Sequence, residues 1–281
     1  MKRNSNSLPL FLIILIVITG TLVIVSLFSP ILWPIDLGAT DLRNRLALPS
    51  IFGYSDSGYL FGTDYLGRDL GIRLMYATRN SVILCAISIV TSTTLGIVLG
   101  TIAGMFGGKA DDVIIFLVNV RHAIPAILIG IIALVIFGSS PTSLVLLNTF
   151  IQWTNPCRQV RASILQIKNE SFIEASRSIG SSTPRIIWEH VLRNVASPLI
   201  VVVTMSIGSI ILFESTLSFL GLGILPPNTS LGVMVAAGRD QMILQWWQAI
   251  LPTAIICLIV MTTSLLGDWL RNKLDPKLRK R

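Results

Sequence analysis

The chain has 281 residues, of which 52% are hydrophobic and only 13% charged, and its mean hydropathy is +0.75. Soluble globular domains carry about 25% charged residues, so this composition excludes a soluble domain and indicates an integral membrane protein. The net charge of +8 would suit nucleic acid, but its distribution excludes that partner. Of the 22 Lys and Arg, 15 sit at the N-terminus, at Lys109, between Arg158 and Arg193, and after Trp269, all on one side of the membrane if the spans below hold.

Lys2 and Arg3 precede an apolar run from Leu8 to Phe28, enough to cross a bilayer at about 20 residues. The run is too long for the apolar core of a signal peptide, and no small-x-small cleavage pattern follows it. It is expected to be a retained span with its N-terminus in the cytoplasm. Residues 29–78 are mixed in charge, with Pro, Gly and Tyr, and form an outer segment. In this segment the string Gly62-Thr63-Asp64-Tyr65-Leu66-Gly67-Arg68-Asp69 predicts a turn followed by a capped helix start. Arg68 between the two acids favours an ion-pair network over a cation site.

The second span is predicted at about Ser81 to Ala103. It carries Gly96, Gly100 and Gly104 at four-residue spacing, which permits close helix contact. Gly107-Gly108-Lys109 superficially resembles a phosphate loop. The Walker pattern needs a Gly five residues before Gly108 and a Ser or Thr after Lys109, where this chain has Ala103 and Ala110. Any ATP hydrolysis, with its Mg, is therefore expected in partner subunits, and no cofactor is expected in this chain.

Asp111 and Asp112 open a third span reaching about Phe137, with a kink expected at Pro125. Asn119, Arg121 and His122 lie just before that Pro. A charge within a span marks a pathway or a paired partner by default, or Arg121 snorkels to the inner interface. The fourth span, Pro141 to Trp153, has only 13 residues and must borrow from the Thr-Asn-Pro turn after it or lie tilted and buried in protein.

A polar, basic island comes next, with six Lys or Arg from Arg158 to Arg193. Ile167, Phe172, Ala175 and Ile179 can share one helical face, and Gly180 suits a helix stop. Thr183 is expected as an N-cap with Pro184 at the first helical position, leading through Ile186, Ile187, Val191 and Leu192. Such a helix-Gly-helix hairpin suits a partner protein; the alternative is an amphipathic linker lying on lipid.

The fifth span, about Ser197 to Leu220, carries Glu214, either a hydrogen-bonding group facing the bundle or a pathway residue. Residues 221–248 are read as a Gly- and Pro-rich outer loop with Trp246 and Trp247 at the membrane boundary. A sixth span runs from Ala249 to about Trp269 and leads to the basic tail 276–281, which can also touch anionic lipid. Cys85, Cys157 and Cys257 are scattered and lack metal spacing. His122 and His190 are the only histidines, so no metal cluster or catalytic triad can be assembled locally.

Several of these stretches resemble one family. Glu174-Ala175, Gly180 and His190-Val191-Leu192 are similar to the coupling loop of ABC-importer permeases, with Ser176 in place of the second Ala and Arg193 in place of the usual Pro. Trp153-x-x-x-Cys157-Arg158-x-x-Arg161 matches the approach to that loop. The Gly62–Asp69 string and Glu214-Ser215-Thr216-Leu217-Ser218-Phe219-Leu220-Gly221-Leu222-Gly223 with Pro226-Pro227 resemble the second permease of dipeptide, oligopeptide and nickel importers. The family usually has an acid where Asn119 stands and apolar residues at Arg121 and His122.

The resemblance implies an all-α membrane protein of about six spans. It divides into an anchor span with outer segment over 1–78, an importer transmembrane domain over 79–275 with its coupling loop at about 156–196, and the tail 276–281. It implies a non-enzymatic half-channel in the cell membrane, with both termini cytoplasmic, that works with a second permease, two ATPases and an extracellular binding protein. Peptides, nickel or a metal-chelating molecule would be carried. Docking of the ATPase would rest on Ile179, Ile186 and Ile187 around Ala175 and Gly180, with Glu174 and Arg185 setting orientation. Asn119, Arg121, His122 and Glu214 are the candidates for the path. An ion-coupled secondary transporter is the alternative, but it calls for inverted repeats and more than one buried acid.

Overall fold

The computed structural model describes residues 8–53 and 58–274, and the termini, including the basic tail 276–281, lie outside the described residues. The described residues are almost entirely helical. α1 (Leu10–Leu27) is followed by a single turn, α2 (Ser29–Leu32), and an irregular stretch that leads to α3 (Leu70–Phe106). Next come α4 (Gly108–Ala123), α5 (Ala126–Phe137), α6 (Pro141–Gln152) and α7 (Thr154–Ile167). The hairpin holds α8 (Ser171–Ser178) and α9 (Thr183–Ile186); α10 (Leu192–Leu217), α11 (Leu231–Arg239) and α12 (Trp247–Leu274) complete the fold.

Among the described residues, four stretches are long and apolar enough to cross a membrane: α1, α3, α12 and a continuous run from Thr183 to Leu222. The run joins α9 to α10 through a wider π turn at Ile187–Val191 and ends in a second one at Ser218–Leu222. A fifth span exists if α4 and α5 count as one, and these meet at 89°. The break is sharper than the expected kink. Pro125 supplies no N–H and pushes Ile124 out of the helical region, to φ −100° and ψ 129°. The expected fourth span is α6, only 12 residues long. It does borrow from the Thr-Asn-Pro turn, since Trp153 keeps helical angles and accepts the Cys157 N–H at 3.1 Å, so the backbone runs on into α7.

Two expectations need adjustment. The N-cap of α9 is Ser182 rather than Thr183. The outer loop 221–248 contains a true helix, α11, whose cap Ser230 accepts the Val233 N–H.

The glycine stripe on α3 explains its packing. A Cβ on Gly100 would lie 2.6 Å from the Cys157 carbonyl oxygen and 2.9 Å from the Val160 Cβ, and one on Gly104 would lie 2.8 Å from the Ile164 Cβ. α3 and α7 therefore touch backbone to side chain, gaining the dispersion contacts that drive helix association in lipid. α1 is held by polar contacts of the kind common between spans: Thr19 and Thr262 hydroxyls bond at 2.8 Å, and Ser26 donates to the Met75 sulfur at 3.5 Å.

The non-helical outer segment is cross-linked. Asp64 accepts the N–H groups of Leu66 and Arg68 at 2.8 and 3.0 Å, and its carboxylate pairs with the guanidinium groups of Arg68 and Arg73. This is the ion-pair network expected at the Gly62–Asp69 string. Asp69 caps α3 by accepting the Ile72 N–H at 3.0 Å. Gln245 donates to the Leu46 carbonyl at 2.9 Å and Gln248 to that of Thr63 at 3.2 Å, tying the start of α12 to the segment.

Candidate functional site

At the opposite end of the molecule lies the hairpin. α8 stops at Gly180, whose φ of +83° is one that side-chain-bearing residues rarely adopt, and Ser181 N–H returns to the Ser176 carbonyl at 3.0 Å. This is the Schellman-type closure that the Gly predicts. Ile173, Ile186, Val191 and Val195 form a small core with Val160 and Ile164 of α7, each no more than 2% exposed. The Ser176 hydroxyl bonds the His190 Nε2 at 2.9 Å, and the Phe172 ring stands 5.9 Å from the His190 ring. Ser176 thus staples α8 to the π turn, a bond that Ala at this position could not make.

The other face of the hairpin is apolar and open. Ile179 is 83% exposed, Trp188 76% and Phe172 40%, with Ala175 and Glu174 exposed beside them. Ile187 is half-buried. Ile186, expected among the docking residues, instead faces inward at 2% exposure because the hairpin folds back on α7. Arg185 pairs with Glu189 at 2.9 Å one turn later and leaves Glu174 to solvent. Trp188 is the outward residue that sequence reasoning missed; its signal is a large apolar side chain within a polar island.

The proposed path residues do not converge. Arg121 donates to the Ile151 carbonyl at 2.9 Å, and Arg158 donates to the Asn119 Oδ1 at 3.2 Å. A turn beyond Arg158, Arg161 forms a two-bond pair with Asp111 at 2.5 and 2.6 Å. Asn119, Arg121 and Asp111 therefore pin α4 along α6 and α7, while His122 is exposed. Glu214 lies elsewhere, 1% exposed, where Ser218 donates to its Oε1 at 2.6 Å and Ser218 also meets Ser230 at 3.3 Å. Asn80 donates to the Thr229 carbonyl and Leu231 N–H to the Ser81 hydroxyl, closing a polar knot that joins α3, α10 and α11.

Polar groups that line open space also occur on α7 and α10. A cavity of about 560 Å³ is lined by Asn155, Arg158, Gln159, Ser206 and Ser209 together with Val202 and Met205. A second, of about 540 Å³, shares Gln159 and Met205 and continues toward the hairpin end of the bundle to Asn194 and Arg271. Positions 155, 158, 159 and 162 on α7, and 202, 205, 206 and 209 on α10, recur at helical spacing. The spacing is present in the sequence, but there Arg158 belongs to the basic loop and the serines to an apolar span.

Known proteins agree with this architecture. A family model described as "Binding-protein-dependent transport system inner membrane component" matches residues 96–280. The oligopeptide transport system permease protein OppC of Bacillus subtilis is 30% identical over 280 residues, covering all of this chain and 89% of the relative. The di/tripeptide transport system permease protein DppC of Pseudomonas aeruginosa is 36% identical over 258 residues, covering 92% of this chain and 85% of the relative. Among solved structures, an inward-facing conformation of the MetNI methionine ABC transporter superposes with a TM-score of 0.58 at 16% identity, covering 72% of this chain and 96% of that one, a likeness of fold alone. Glycine stripe, hairpin and full-length match together place the chain: it belongs to the family of binding-protein-dependent transport system inner membrane components.

Proposed function

We propose that this chain forms one half of the translocation path of an ATP-driven peptide importer, with the hairpin from α8 to the π turn as the contact for an ATPase subunit. It is the permease component of an ABC importer and not itself an enzyme. Peptide cargo is favoured by relatives named for oligopeptide, dipeptide and di/tripeptide transport. A second, homologous permease would supply the other wall, a binding protein outside would deliver cargo, and two ATPase subunits would bind ATP and Mg. The positive-inside distribution supports a cytoplasmic hairpin and cytoplasmic termini.

The observation that carries this reading is the open apolar face of Phe172, Ile179 and Trp188 on a hairpin whose opposite face is fully packed. Water-exposed aromatic and aliphatic side chains on a short rigid element suit a protein partner. The packed face, with Ser176 bonded to His190, makes the hairpin a lever: displacement of α8 is passed to α7 and, through Val191 and Val195, to α10. In the tagged complex purified from membranes, Ile179→Asp is expected to lose the ATPase while the permease pair stays monodisperse. Fully burying an Ile contributes about 1.5–3 kcal/mol, so removing this anchor and burying a charge weakens docking by at least roughly tenfold. An ATPase that still travels with the Ile179→Asp chain at parental yield would sink the reading.

A further inference from the structure

The end of the bundle away from the hairpin carries an exposed apolar surface of its own. In the turn between α11 and α12, Ile243 is 96% exposed, Leu244 78% and Met242 49%. The turn is held in place, since Gln245 and Gln248 donate to the Leu46 and Thr63 carbonyls, and the Trp246 and Trp247 rings stand edge to face at 6.0 Å. Beside it, a groove of about 390 Å³ runs between α11, α12 and the end of α10, walled by Phe219, Val235, Met242, Ile250 and Ala254. α11 and α12 meet closely next to this groove: a Cβ on Gly238 would lie 2.5 Å from the Ala249 nitrogen. Ala254 lies roughly 10 Å along α12 from Trp247, at 1.5 Å per residue, so the groove descends from the membrane boundary into the hydrocarbon layer. Trp246, Ile250, Ala254, Cys257 and Met261 are exposed at helical spacing, so it opens onto an apolar stripe that follows the span downward.

Two features identify the occupant. The first is the absence of free polar groups on the walls. Apart from Arg239, the polar side chain lining the groove is Thr253, and its hydroxyl donates to the Ala249 carbonyl at 2.8 Å. A protein interface carries about one hydrogen bond per 100–200 Å², which these walls do not offer; an acyl chain asks for none. The second feature is the charge. Arg239 is the charged residue lining the groove, and its guanidinium carbon stands 5.5 Å from the centroid of the Phe219 ring. Its ion partner among the described residues is the adjacent Asp240 at 3.3 Å, with side chains 61% and 71% exposed. Such a solvent-facing pair is weak. It engages the Nε–H and leaves the terminal N–H groups of the fork open to a phosphate, which guanidinium binds well. A cation and aromatic rings at the boundary, with an apolar slot below them, match the order of phosphate and acyl chain in a leaflet.

We propose that the α11–α12 groove holds a phospholipid of the leaflet away from the hairpin, with one acyl chain between Phe219, Val235 and Ala254 and its phosphate on Arg239. The site rests on the membrane-spanning character of the chain and not on its cargo.

The test uses the full complex purified from membranes in detergent, delipidated and then titrated with phosphatidylglycerol, the bound lipid being counted by native mass spectrometry. The parent is expected to hold a lipid that Arg239→Gln binds about tenfold more weakly, the loss of one charge-assisted contact. Ala254→Trp, which fills the groove, is expected to abolish that binding. The position is read with phosphatidylglycerol carrying a diazirine in one acyl chain, which is expected to label peptides of α11 and the first turns of α12. Should the Trp variant not assemble, the exposed Arg239→Gln substitution and the labelled peptides still decide. Lipid affinity that stays parental in Arg239→Gln, or label confined to other spans, overturns the proposal. So does a photoreactive residue at position 250 that captures another protein of the complex in native membranes, since the groove would then be a subunit contact and not a lipid site.

Discussion

The two ends of this molecule handle exposed and buried chemistry in opposite ways. The outer segment buries its charge: Asp64 takes two backbone N–H groups and two guanidinium groups while its own side chain is only 7% exposed. The hairpin end does the reverse, leaving its largest apolar side chains exposed and its ion pair on the surface, with Arg185 65% and Glu189 47% exposed. One end satisfies its charged groups within its own chain, and the other leaves apolar side chains exposed. A fully paired network resists displacement, whereas a small packed element with an open face can be seized and moved.

The largest effect expected from breaking this contrast is at Asp64. Asp64→Leu leaves Arg68 and Arg73, with side chains 11% and 10% exposed, without their shared carboxylate. Removing one partner of a buried pair costs about 3–5 kcal/mol, so the detergent-solubilised chain should melt lower by roughly 10 °C at about 2–4 °C per kcal/mol. A melting temperature unchanged by this substitution would mean that the outer segment is not the rigid end.

A smaller effect is expected at the staple between α8 and the π turn. Ser176→Ala removes the 2.9 Å bond to His190, worth about 1 kcal/mol, and restores the residue that permeases resembling this chain carry. Amide hydrogen exchange in residues 171–191 should quicken about fivefold while α3 and α12 stay unchanged. Equal protection in both forms would show that the apolar core of Ile173, Ile186 and Val191 locks the hairpin by itself.

How much of this was legible before the fold was known divides along the same line. The long spans, the glycine stripe, the Gly180 stop and the Asp64 pairing were readable because each depends on local spacing or on one residue's backbone freedom. The right-angle break at Pro125 was underestimated, because a missing N–H predicts that a helix is interrupted and not the direction in which it resumes. α11 was hidden in a stretch rich in Gly and Pro. Ile186 and Glu214 share one difficulty: sequence shows that a residue is apolar or acidic, but the facing element decides whether it looks outward. α7 turns Ile186 inward, and Ser218 and Ser230 enclose Glu214. The α7–α10 groove was invisible because it is written half in a basic stretch and half in an apolar one.

The smallest expected effect tests whether the hairpin's surface charge matters to its own fold. Arg185 and Glu189 pair at 2.9 Å with four-residue spacing, which invites a stabilising role. Both groups are about half exposed or more, and pairs of that kind contribute about 0.3–0.5 kcal/mol on a helix and often nothing measurable. Arg185→Ala should therefore leave the melting temperature of the isolated chain within error, and should leave hydrogen exchange in residues 171–191 unchanged. Its consequence belongs to the complex, where a guanidinium at the rim of an apolar patch steers association more than it holds it. The expected result is a fewfold slower ATPase association at low ionic strength that merges with the parent rate as salt rises past the screening range. A loss of hairpin protection in the isolated chain would instead make Arg185 part of the scaffold, and the contrast between the two ends would weaken accordingly.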